Sequence, residues 1–197
     1  MKPLLKRSIT LIELLIAITL LSLIVLGFSS IDLFSRNQVL TADRRAQVQN
    51  EVAYVLEHMT KELNNAIGNS IIPNNSPFWA APDSVQIGYI ADVDHNGQRI
   101  DDAAHRRGYR YGGSNPYTIW FCTNPIEAMC YSSGSGAEFL SRRITAFTPN
   151  YVTTDNYIGI DLTGCWDPDG SPNACGTPDN PSVTMRTRIK MPSVSTH

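Results

Sequence analysis

The sequence predicts an α+β protein: a long N-terminal α-helix spine packed on a disulfide-stapled antiparallel β-sheet head. Three observations predict it. Residues Ile9 to Phe28 form an apolar run of twenty with a single charge, Glu13. Residues 48–67 then repeat apolar side chains at steps of three and four. Beyond Gly68 the pattern changes to short alternating segments between Pro-, Asn- and Gly-rich stretches, and all four cysteines lie there.

The first eight residues, MKPLLKRS, carry Lys2, Lys6 and Arg7 and no acid. A basic start before an apolar run is common to secretory signals and membrane anchors. The apolar core of a signal is about 7–15 residues and ends at a small-residue cleavage site. This run is longer, and about 20 apolar residues suffice to cross a bilayer. Positive charge ahead of the run places the N-terminus in the cytoplasm and the chain beyond about residue 30 outside. Glu13 is the anomaly, because a carboxylate at the centre of a membrane helix costs roughly 2.5–3.5 kcal/mol, and less near an end.

The helix is expected to continue without a proline to about residue 67. Val48, Val52, Val55, Leu56, Met59, Leu63 and Ile67 form one apolar face. Glu57 precedes Lys61 by four residues, the favourable order for a helical ion pair. Gly68 is placed as the C-terminal glycine. Gly27, with Ser29 and Ser30, is the weakest point and a candidate for bending.

In the head, SVQIGYI and PYTIWFC read as strands, and RRITAFTPNYV with NYIGIDLTG as a hairpin. In SVTMRTRIKM, Val183, Met185, Ile189 and Met191 alternate with Thr184, Arg186, Arg188 and Lys190, the pattern of a half-buried antiparallel strand. Its cationic side is read as a solvated face or as an inter-subunit contact to acids. The apolar stripe of the helix requires a partner, and the apolar face of the sheet supplies one.

Cys122, Cys130, Cys165 and Cys175 all fall in the exported part. Four cysteines allow three pairings. Cys122–Cys130 with Cys165–Cys175 is preferred because it staples two loop-like stretches, each closure contributing on the order of 2–3 kcal/mol. Free buried thiols are the alternative, and no C-x-x-C spacing supports zinc.

The segment DVDHNGQRIDD, residues 92–102, opens like a calcium loop, D-x-D-x-N-G. Alternating oxygen ligands with glycine at the sharp turn suit a hard cation. Asp92, Asp94 and Asn96 are candidate side-chain ligands for Ca2+, Gln98 a backbone ligand, and Asp101 or Asp102 closes the shell. Ala103 stands where the usual closing Glu would be, so the loop is shortened; a solvated Asp/Asn turn is the alternative. CWDPDGSPNACGTPDN, with Asp167, Asp169 and Asn173, reads as a stapled surface loop before it reads as a second ion site.

Net charge is −2, which does not suggest a nucleic-acid binder, and HRRGYRYGG is one short basic-aromatic patch. No enzyme is expected. His58 lies on the helix, His95 and His105 lie in loops, and Ser135 lacks a G-x-S-x-G context. There is no phosphate loop and no H-E-x-x-H.

The stretch KRSITLIELLIAITLL resembles the start of the type IV pilins and type II secretion pseudopilins. That family has a short basic leader, a cleavage residue that is usually glycine, and an FTLIELL-like start with Glu as the fifth mature residue. TLIELL, Thr10 to Leu15, matches letter for letter. Ser8 stands where glycine is usual, and Ile9 where phenylalanine or methionine is common. The head and the second half-helix are more loosely similar to J-type pseudopilins and W-type minor pilins.

The resemblance implies a leader at 1–8, a transmembrane and filament-core half-helix at 9–30, an amphipathic half at 31–68 and a β head at 69–197. It further implies cleavage between Ser8 and Ile9 by a prepilin peptidase and methylation of Ile9. The partners would be homologous or identical subunits and an inner-membrane assembly platform with a separate ATPase. Glu13 would set the axial register by meeting the freed amino group of a neighbour. The product would be a periplasmic or extracellular filament built from an inner-membrane precursor. The alternative is a membrane-anchored periplasmic calcium-dependent binding module that does not polymerise.

Overall fold

The computed structural model describes residues 10–67, 72–73, 85–93, 105–112, 117–123, 137–152, 157–169 and 175–190. They form one long helix, α1 (Leu11–Asn64), and eight strands. These are β1 (Ile72–Pro73), β2 (Val85–Ile90), β3 (Arg106–Tyr111), β4 (Ile119–Thr123), β5 (Ala137–Ser141), β6 (Ile144–Val152), β7 (Tyr157–Cys165) and β8 (Ser182–Lys190). The class is α+β with antiparallel sheets. The chain divides into two compact units, Met1–Ala42 and Asp43–His197.

In the first unit, the large apolar side chains from Leu11 to Leu40 are all 51–82% exposed. The segment is long and apolar enough to cross a membrane. The helix is unbroken through Gly27. Its hydroxyls turn back onto the backbone: Ser22, Ser29 and Ser30 donate to the carbonyls of Ile18, Val25 and Leu26. Asp32 and Arg36 form a surface ion pair one turn apart at 2.9 Å.

The second unit begins at Asp43 and contains the rest of α1. Val48, Val52, Val55, Leu56, Met59 and Leu63 are buried at the three- and four-residue spacing. They join Ile87, Tyr89, Tyr109, Ile119, Ile144, Ile158, Ile160, Leu162 and Ile189 in one apolar core. The helix ends three residues before the expected Ile67. Asn65 and Ala66 donate to Glu62 and Leu63, tightening the last turn. Ala66 then bridges Ala91, and Ile67 donates to the carbonyl of Ile90 at 2.9 Å. The helix thus gives way at residues 65–67 to pairing with Ile90 and Ala91. Gly68 lies outside the described residues.

The strands divide between two sheets among the described residues. One is five-stranded, in the order β1-β2-β3-β4-β5, and the other three-stranded, β6-β7-β8, with every pairing antiparallel. The break between them falls at Ser141–Arg143. The Ser141 hydroxyl accepts the Arg143 N–H at 3.0 Å, closing a local turn that stops β5 from running into β6. The expected hairpin of β6 and β7 is present, with Ile158 facing Tyr151 and Leu162 facing Phe147. On β8, Thr184, Arg186, Arg188 and Lys190 are exposed and Ile189 is buried, the alternation expected.

Candidate functional site

At the start of α1, Thr10 is the N-cap and Glu13 the third helical residue. The Thr10 N–H and hydroxyl each donate to Glu13 Oε2 at 3.0 Å, and the Glu13 N–H reaches Thr10 Oγ1 at 3.4 Å. This is a capping box: two orphan donors of the first turn are satisfied reciprocally. Leu11, Ile12, Leu14 and Leu15 around it are more than half exposed. A carboxylate that the resemblance assigns to assembly therefore also organises its own helix start. The T-x-x-E spacing in TLIE is the sequence signal of this box.

Further along α1, Glu51 anchors the break between the sheets. Its carboxylate accepts the Ser141 hydroxyl at 2.8 Å and Arg143 Nη1 at 3.1 Å. Arg143 in turn lies 4.2 Å from the centre of the Trp166 ring, and Arg44 lies 6.0 Å from it. Arg44 also donates to the Asp179 carbonyl at 2.6 Å. Arg44 on the helix and Arg143 at the break between the sheets thus bring two cations to the indole of Trp166, the residue after Cys165.

A second polar cluster lies where α1 meets the five-stranded sheet. His58 Nδ1 is 3.0 Å from the Tyr109 hydroxyl, and His58 Nε2 is 3.7 Å from Glu138. Tyr89 donates to Glu62 at 3.3 Å. The His58 ring packs edge-on against Phe121. Burial pushes the Tyr109 phenol far up, and the negative charges of Glu62 and Glu138 add to it. Tyr89 is raised for the same first reason, and Tyr111 is pushed up to about 12, chiefly by burial. All three phenols keep their protons at neutral pH, and those of Tyr89 and Tyr109 donate, to Glu62 and to the His58 carbonyl. The cluster fixes the sheet to the helix and satisfies the polar atoms that this contact buries.

On the outer face of the three-stranded sheet, Arg186 clasps Asp161 with two bonds, Nε to Oδ1 at 2.5 Å and Nη2 to Oδ2 at 2.7 Å. The pair holds the Asp161 carboxyl below its ordinary value of 3.8, first by this hydrogen bonding. A depressed carboxyl contributes stability that is present above its ordinary value and lost as pH falls through the folded value. The pair is exposed, so the contribution is small. The melting temperature of Asp161→Asn is expected to lie slightly below wild type at neutral pH. The gap should close below about pH 4. A gap that persists unchanged in acid would remove this pair as its cause.

The remaining sequence candidates fall as follows. Cys165 and Cys175 form a disulfide, and Cys122 is disulfide-bonded. Cys130, its expected partner, lies outside the described residues, as do Ser8 and Ile9. Of the calcium candidates, Asp92 alone is described. Its N–H donates to the Asn65 carbonyl at 2.8 Å, so its backbone closes the helix-to-strand junction. Asp94, Asn96, Gln98, Asp101 and Asp102 lie outside the described residues. No group of three or more His, Cys, Asp and Glu side chains able to hold a metal occurs among the described residues. Arg186, Arg188 and Lys190 share one exposed face, as read from the sequence. Comparison with protein-family models, with curated proteins and with solved structures gave no match.

Proposed function

We propose that the chain is a structural subunit of a filament of the type IV pilus or type II secretion pseudopilus kind. It is made as an inner-membrane precursor and cut between Ser8 and Ile9 by a prepilin peptidase. After methylation at Ile9 it is assembled by a membrane platform whose work comes from a separate ATPase.

The observation that carries the reading is the contrast along α1. From Leu11 to Phe28 the helix carries apolar side chains around its whole circumference, and its large apolar side chains stay exposed as far as Leu40. From Val48 to Leu63 it buries a single stripe in its own core. An apolar surface of that extent requires cover. Lipid covers it in the precursor, and neighbouring helices cover it in a filament. The letter-for-letter TLIELL at the head of the segment supports the filament over an ordinary anchor.

Glu13 then has two successive partners. Within one chain its carboxylate closes the capping box with Thr10. In the filament it meets the freed amino group of Ile9 on a neighbour, and that pairing offsets the desolvation of both charges. The two roles separate by mutation. Thr10→Ala removes the capping hydroxyl at a cost of about 0.5–2 kcal/mol of helix start and leaves the charge. It is expected to assemble.

Intact-mass measurement of the chain recovered from cells tests the processing step. The expected species begins at Ile9 and carries one added methyl group. A mature pool that begins at Met1 would overturn the reading in favour of a membrane-anchored module that does not polymerise.

A further inference from the structure

We propose that the outer face of β6, β7 and β8 is a docking groove for an acidic segment of a partner protein, with Arg188 taking a carboxylate beside a notch at Gly159. The proposal does not depend on whether the chain polymerises.

Strand register places three rows of residues across this face. Thr148, Asp161 and Arg186 form the first, Asn150, Gly159 and Arg188 the second, and Val152, Tyr157 and Lys190 the third. The middle row has no side chain at its centre. A concavity of about 450 Å³ lies there, bounded by Thr148, Asn150, Tyr157, Asp161, Arg186 and Arg188.

Packing does not require glycine at this point. A Cβ on Gly159 would meet only Asn150, at 3.6 Å from its carbonyl oxygen and 3.9 Å from its Cβ, which are ordinary contacts. A glycine inside a strand weakens it, and close approach of another backbone is one reason to keep one. What Gly159 supplies is therefore the opening itself.

Among the described residues the charges on the face do not balance. β8 presents Arg186, Arg188 and Lys190, and the one described acid opposite them, Asp161, is taken up by both arms of Arg186. Arg188 and Lys190 enter no ion pair among the described residues. The Arg188 guanidinium lies 5.6 Å from the centre of the Tyr157 ring. That distance is within cation–π range and uses none of the guanidinium N–H donors, which can receive a carboxylate through two parallel bonds. Asp161, one row away, disfavours a doubly charged phosphate more than a singly charged carboxylate. A segment bearing Asp or Glu side chains, its backbone lying over Gly159, fits this chemistry.

The test uses the full chain in a non-ionic detergent and a fluorescein-labelled peptide of alternating Asp and Gly, followed by anisotropy at low salt. Saturable binding is expected. Arg188→Ala should weaken it at least tenfold, and so should Gly159→Val, which keeps every charge and fills the notch. Arg142→Ala should leave it unchanged, because that guanidinium stacks on Phe139 of the other sheet. Thermal melts confirm that each variant is folded, and Arg188, being exposed, serves if Gly159→Val is not. Four results would each overturn the proposal. They are absence of saturable binding, equal weakening by Arg142→Ala, wild-type affinity in a folded Gly159→Val, and displacement of the peptide by equimolar inorganic phosphate.

Discussion

Gly164→Ala is expected to destabilise the head by about 1–3 kcal/mol, the range for forcing extra carbon into a packed core. A Cβ at Gly164 would stand 2.5 Å from Cγ2 of Val52 and 3.2 Å from Cγ1 of Val48. Neither methyl can swing away. Val48 and Val52 are fully buried, and β-branched side chains on a helix have one strongly preferred rotamer. The helix must lift from β7 or the strand must bow. Val52→Ala removes the offending methyl and so makes room for the new one. The two substitutions should therefore couple, the double variant being more stable than the sum of the single effects by about 0.5–3 kcal/mol. Urea denaturation of the four chains measures this. Strict additivity would mean that helix and strand do not meet at this point.

Ile160→Ala is expected to have the largest effect of any single truncation in the three-stranded sheet, about 2–5 kcal/mol. Ile160 is fully buried on the central strand, with the core residues Ile158 and Leu162 in phase on either side of it. Folded domains hold only about 5–15 kcal/mol in all, so the loss approaches the whole margin of a weak domain. Ile160→Val keeps most of the volume and should cost only about 0.5–1.5 kcal/mol. The denaturation midpoint of each variant tests this. Equal effects of Ala and Val would show that the site collapses around the missing atoms.

What could be read from the sequence followed from periodicity. The seven apolar positions from Val48 to Ile67 are all buried, because a helix on a sheet can hide one stripe and no more. β7 and β8 alternate, and they are legible for the same reason, whereas β6 buries Ile144 and Phe147 three residues apart across a shift in register. β3 was not. RRGYRY carries three arginines, and its buried residues, Gly108 and Tyr109, are adjacent and not alternate. By composition alone the same stretch is a basic-aromatic patch. Five-stranded pairing holds it between β2 and β4, so tertiary context overrides a poor local pattern. β5 was missed likewise, since AEFLS buries only its last two residues, Leu140 and Ser141. The division into two sheets depends on one serine that answers both Glu51 and Arg143, a contact 90 residues apart in the chain on one side. No local pattern encodes that.

The candidate sites show the same limits. Glu13 stood out because a charge in an apolar run is costly, yet its bond to Thr10 went unread although the spacing was visible. His58 looked idle on the helix, and its partners Tyr109 and Glu138 come from two distant strands. Arg188 and Lys190 were seen as a charged face. That Arg186 is already matched by Asp161 appears only once β7 and β8 are in register.

The filament reading is tested most directly by shearing filaments from cells that make the full chain with Glu13 or with Glu13→Gln, and measuring the share of the chain in the sheared fraction. Glutamine can still close a capping box, so this change removes the charge and leaves the helix start. The wild-type chain is expected in the sheared filaments, and Glu13→Gln is expected to remain with the membrane. A wild-type chain absent from every filament, or a Glu13→Gln chain recovered at the wild-type share, would contradict the account.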